Sequence, residues 1–152
     1  MCTAFVLPLY YHSLKMTSEA LLFTLSAIGI SETVYLIKKR LLFQKPICFL
    51  GQHCQVVLDS RYSKMFIIPN DVLGLLFYIT CSAVTVLLVI EVGHVSLFSS
   101  IMNVLVTSGS LISLYFVYLQ FKVIKVWCFW CLMSALTIWL MGVILLSSNL
   151  IT

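Results

Sequence analysis

Charge is what this sequence has least of. Only 9% of its 152 residues are Asp, Glu, Lys or Arg, against 62% hydrophobic, and its mean hydropathy is +1.12. A water-soluble globular domain carries about 25% charged residues. No hydrophilic block is long enough to form a second domain, and there is no internal repeat or low-complexity segment. These shortages exclude a soluble enzyme, a nucleic-acid binder and a disordered chain. The N-terminus is not expected to be a cleavable signal peptide: no basic residue precedes the apolar run 4–9, which is short and broken by Pro8. The expectation is one membrane domain over 1–152, with 1–15 a non-essential leader or a mis-assigned start ahead of Met16.

What is present is apolar runs of membrane-crossing length. A helix needs about 20 apolar residues to cross a bilayer. Four stretches approach or reach this: Leu21–Ile37 (interrupted by Glu32 and ending in Lys38, Lys39 and Arg40), Val72–Ile90, Val95–Leu119 and Val126–Leu146. Lipid offers no partner to backbone polar groups, so such runs are helices. The fold class is all-α: a four-helix transmembrane bundle with both termini on one side and a long loop between helices 1 and 2. That loop, 41–70, contains Phe66, Ile67 and Ile68 and is expected to fold back on the membrane surface. Residues 91–94 read as a tight turn and 120–125 as a short link. Asn70 or Asp71, after Pro69, reads as the N-cap of the second span.

The six cysteines carry the chemistry. Cys48 and Cys54 form a close pair in the long loop; Cys128 and Cys131 form a CxxC at the start of the fourth helix. In a four-span chain the first and third loops emerge on one face, so both pairs meet at one membrane surface. One pair on a loop and one fixed at a helix start suit a dithiol relay. A CxxC at a helix N-terminus meets the positive end of the helix dipole, which favours thiolate. Lys122 and Lys125 beside that pair, and Lys45, Arg61 and Lys64 around the loop pair, add to the effect; His53 is placed to assist proton transfer, although a solvated loop histidine is the plainer reading. Zinc held by the four thiols, or by His53, is the competing use. A loop pair that is only a structural staple is another. Cys81 reads as a small buried hydrophobe and Cys2 lies in the doubtful leader. The tryptophans Trp127, Trp130 and Trp139 read as packing or interfacial anchors, and His12 and His94 as surface residues. Glu32, a carboxylate inside a span, either snorkels, pairs with a lysine or is functional.

From about residue 20 onward the chain resembles the vitamin K epoxide reductase family. The resemblance rests on Cys48 and Cys54, on Ser60, on the run from Ser63 through Pro69, Asn70 and Asp71 to Tyr78, and on Trp127–Ala135. It implies a quinone-coupled thiol oxidoreductase. By that analogy Cys131 faces the quinone, Cys128 exchanges with Cys54, and Cys48 exchanges with a separate thioredoxin-like (DsbA-like) protein. Ser60 and Asn70 match polar positions near the quinone head group, the quinone being of the ubiquinone or menaquinone type. No metal is implied. The loop spacing and the Ile-Pro-Asn segment resemble microbial members more than animal ones, which favours oxidation of a protein partner over reduction of vitamin K epoxide.

Charge and family disagree on orientation. The first and third loops hold eight Lys and Arg (38, 39, 40, 45, 61, 64, 122 and 125), the opposite side only Lys15. By the positive-inside rule the cysteine face is cytoplasmic, whereas family members usually carry it outside. A cytoplasmic site suits hyperthermophiles, whose intracellular proteins keep disulfides.

Overall fold

The computed structural model describes residues 3–48, 54–60, 63–65, 68–91 and 93–151. Among the described residues there are five α-helices: α1 (Thr3–Leu41), α2 (Cys54–Asp59), α3 (Asn70–Val89), α4 (Val95–Tyr118) and α5 (Phe129–Ile151). A two-residue antiparallel ladder pairs β1 (Lys64–Met65) with β2 (Ile68–Pro69), opposing Lys64 to Pro69 and Met65 to Ile68. Four helical segments are long and apolar enough to cross a membrane: Met16–Leu41, Asn70–Val89, Val95–Ile124 and Phe129–Ser148.

These spans close a ring in the order α1, α3, α4, α5, with α1 and α5 touching to complete it. Large apolar side chains such as Val104, Leu111, Val143 and Leu146 point outward, as lipid-facing positions do. Several hydroxyls within the spans are satisfied on their own helix: Ser26 donates to Leu22, Thr33 to Gly29, Thr85 to Cys81 and Thr137 to Met133. Each bond answers the lack of water in lipid.

Tyr78 is the landmark of the interior. It is fully buried, and its ring lies where a side chain at Gly29 would be. Its hydroxyl bonds Ser134 of α5, donating to the carbonyl at 3.0 Å and pairing with Oγ at 2.9 Å. One residue on α3 thereby ties α1 to α5 at a fixed depth. A Cβ on Gly109 of α4 would lie 2.8 Å from Cε2 of Phe77, so this position has no room for a side chain while Phe77 stays in place.

Two details differ from the sequence reading. The second span starts at Asn70 with Pro69 as its N-cap (φ −64°, ψ 142°), and no side chain caps it. Asp71 instead accepts from the adjacent Val72 N–H and from Arg40. The link 120–125 is no plain loop. Leu119–Ile124 is a π-helical continuation of α4, ended by Lys125 in the left-handed region at φ 55°. Cys2, His53, Arg61, Phe66 and Ile67 lie outside the described residues.

Candidate active site

The long loop returns onto the ends of α1 and α5. Ile47 is the fastening point. Its N–H donates to the Tyr35 hydroxyl on α1 (3.2 Å) and its carbonyl accepts from the Trp130 indole on α5 (2.8 Å). The two rings also touch each other, with centroids 4.6 Å apart. Cys48, the next residue, is joined to Cys54 by a disulfide, with Cα atoms 6.2 Å apart. Cys54 opens α2 and faces inward.

Both cysteine pairs meet in one apolar cluster. Cys54, Val57 and Cys128 are its buried centre; Cys48, Cys131, Trp130 and Ile124 pack around them. Cys54 is 1% exposed and Cys128 0%. Cys128 and Cys131 are free thiols, and the Cys131 thiol donates to Cys128 Sγ at 2.8 Å.

The backbone at Cys128 explains its chemistry. It precedes the first residue of α5 and its carbonyl accepts from Leu132 N–H, so it stands at the N-cap. Its own N–H, buried, donates to Oε1 of Gln120 at 2.9 Å. The π-helical turn carries Gln120 to that point, a local distortion often found at functional sites. The Cys131 thiol holds Cys128 below the usual thiol range; the N–H groups of Cys131 and Trp130 help, and burial opposes them. The main influence is thus the neighbouring thiol and not Lys122 or Lys125. Lys122 instead lies over the Phe121 ring.

A cavity of about 770 Å³ opens beside Cys131 between the four spans. Its deeper wall is apolar, with Phe77, Ile112, Phe116 and Ile138. Polar groups stud it: Glu32, Ser60, Asn70, Ser113, Gln120 and Ser134. Lys39, Arg40, Lys64 and Asp71 also line it, and Arg40 pairs with Asp71 at 2.7 Å. Binding pockets for small molecules span about 300–1,000 Å³ and combine apolar walls with a few polar groups. A flat apolar ring with two carbonyls matches such a lining, so the residues present fit a quinone.

The residues singled out in the sequence therefore sit as follows. Cys48, Cys54, Cys128 and Cys131 form one cluster; Ser60 and Asn70 line the cavity beside Cys131, with Ser60 Oγ donating to Val57 at 2.7 Å. Cys81 is buried in the bundle core, away from both pairs. Among the described residues no group of three or more His, Cys, Asp or Glu is gathered to hold a metal ion. Tyr35, Gln120 and the bonding role of Trp130 escaped the sequence reading, since each acts through a tertiary contact.

Comparison with known families agrees with this geometry. The model of the vitamin K epoxide reductase family matches residues 20–146. The chain belongs to that family. A comparison with curated proteins gives no match. As a vitamin K epoxide reductase family member with four membrane-length helices, it is a multi-pass membrane oxidoreductase of that type. The matched stretch contains both cysteine pairs and every cavity-lining residue named above.

Proposed function

We propose that this protein forms disulfides in a separate thioredoxin-like protein and passes the electrons to a membrane quinone of the ubiquinone or menaquinone type. The carrying observation is that Cys54 and Cys128 share one buried cluster while Cys131 lines the adjoining cavity. A partner thiolate attacks Cys48, breaking the Cys48–Cys54 bond and releasing Cys54 as thiolate. The partner's second thiolate then resolves the mixed disulfide and leaves Cys48 reduced. Cys54 attacks Cys128 of an oxidised Cys128–Cys131 pair, and Cys48 closes on Cys54, which regenerates the loop disulfide and leaves Cys128 and Cys131 reduced. Two electrons have moved inward at each exchange.

A bound quinone supplies a two-electron, two-proton acceptor. On this reading Cys128 and Cys131 close to a disulfide as they give up that electron pair. The Asn70 amide, and the Ser60 hydroxyl once it turns from the Val57 carbonyl, orient the carbonyls. The apolar walls exclude water.

The deciding experiment measures quinone consumption by purified protein given a reduced thioredoxin-like dithiol, beside Cys131→Ala. Wild type reduces quinone and the variant does not. Consumption by neither, together with stoichiometric bound zinc, transfers the thiols to metal binding. For orientation, the eight-to-one bias of Lys and Arg supports a cytoplasmic cysteine face. The C-terminus then lies outside, and a reporter active only in the cytoplasm is silent when fused there; a working reporter reverses the orientation.

A further inference from the structure

Glu32 lines the cavity, and the relay does not use it. It lies inside the first span, is 8% exposed, and its Oε2 has no hydrogen-bond partner among the described residues. Ionisable residues within spans mark proton relays or ligand sites.

Its depth can be read from Tyr78. The Tyr78 ring rests on Gly29 of α1, and its hydroxyl bonds Ser134 of α5. Glu32 lies three residues from Gly29 toward the cysteine face; Cys131 lies three residues from Ser134 in the same direction. At 1.5 Å per residue each is about 4.5 Å above the Tyr78 level. Glu32 and Cys131 therefore stand at matching depth on α1 and α5, and both line the same cavity.

Proton bookkeeping supplies the need. When Cys128 reacts as thiolate, closing the Cys128–Cys131 bond releases two electrons but only the single proton of the Cys131 thiol. Reducing a quinone to its hydroquinone takes two electrons and two protons. We propose that Glu32 is the second proton source. Cys128 thiolate, Cys131 thiol, Glu32 carboxylic acid and quinone give the Cys128–Cys131 disulfide, hydroquinone and Glu32 carboxylate. The left and right sides carry the same protons and the same single negative charge. Refilling runs along the cavity, whose titratable and charged lining beyond Glu32 and Cys131 comprises Lys39, Arg40, Lys64 and Asp71. On α1 the lining positions 32, 36, 39 and 40 form one stripe, so Arg40 stands about 12 Å nearer the surface than Glu32.

This inference rests on the quinone-reducing reading, and three proteins separate the two. Glu32→Gln should slow quinone reduction by about a hundredfold, the range of a lost general acid. Thiol exchange between Cys54 and Cys128, followed by alkylation without quinone, should stay at the wild-type rate. On the unaltered protein, dicyclohexylcarbodiimide should modify Glu32, located by mass spectrometry, and excess quinone should block that modification. Quinone reduction by Glu32→Gln at the wild-type rate, with Cys131→Ala inactive, overturns the role of Glu32 alone. Reduction by Cys131→Ala overturns the underlying function. Where Glu32→Gln fails to assemble, the labelling decides: modification indifferent to quinone, or absent, overturns the proposal.

Discussion

Trp130, standing between Cys128 and Cys131, donates its indole N–H to the carbonyl of Ile47, the residue before Cys48. The CxxC motif thus grips the loop pair through a residue that is not a cysteine. Tyr35 takes the other side of the same residue through the Ile47 N–H. Both hydrogen-bonding groups of one loop residue are fixed, which sets where the Cys48–Cys54 bridge rests over Cys128.

Loss of either fastening should slow exchange between the pairs while leaving quinone reduction by the inner pair intact. A hydrogen bond contributes about 1 kcal/mol net, or roughly fivefold. Tyr35→Phe keeps its ring and removes only the polar contact, whereas Trp130→Phe removes the N–H and also shrinks the ring. Rapid-mixing alkylation of Cys54 and Cys128 measures the exchange rate; unchanged rates in both variants would remove the positioning role.

Cys128 should be alkylated faster than an ordinary buried thiol at neutral pH. Hydrogen bonds lower its proton affinity, so the thiolate persists below the usual thiol range, and the rate climbs with pH in that lower window before levelling. The same shift stabilises the folded protein above the unfolded thiol pKa, and that stability is lost as pH falls through the folded value. Cys131→Ala removes the strongest donor and should move the alkylation profile to higher pH. Cys131→Ser, which retains a hydroxyl donor, should move it less.

Gln120 accepts the buried N–H of Cys128. Gln120→Leu leaves that donor unmatched, which costs about 1–3 kcal/mol. Thermal unfolding in detergent should show a lower midpoint, and Gln120→Glu, which keeps an acceptor oxygen, should recover part of it.

Gly29→Ala should be costlier than Tyr78→Phe. The methyl group would enter the space of the Tyr78 ring and displace it from Ser134, an overpacking penalty of about 1–3 kcal/mol added to the lost hydroxyl bond. Tyr78→Phe removes only the bond. Equal midpoints for the two variants would mean that Tyr78 has room to move aside.

Much of the fold was legible because lipid imposes it. The four apolar runs are four helices, and counting spans alone puts Cys48, Cys54, Cys128 and Cys131 on one face. The boundaries were less legible. Residues 120–125 read as a link because Gln120 and Lys122 break the apolar run, yet the helix widens into a π-turn over Leu119–Ile124 and continues. Asn70 or Asp71 read as a cap by residue type, whereas Pro69, with its fixed φ, takes that position. Glu32 was visible as an intramembrane carboxylate, but its level with Cys131 follows only from the contact of Tyr78 with Gly29 and Ser134. Tyr35 and Trp130 carry no local signal for gripping Ile47, since their partner is far away in sequence.

Phe77 borders the cavity because Gly109 gives it room on α4. The breadth of the chamber is therefore governed by a side chain that α4 does not have. A single methyl at that point would drive the Phe77 ring inward, making this helix a steric gauge of how bulky a guest the bundle admits.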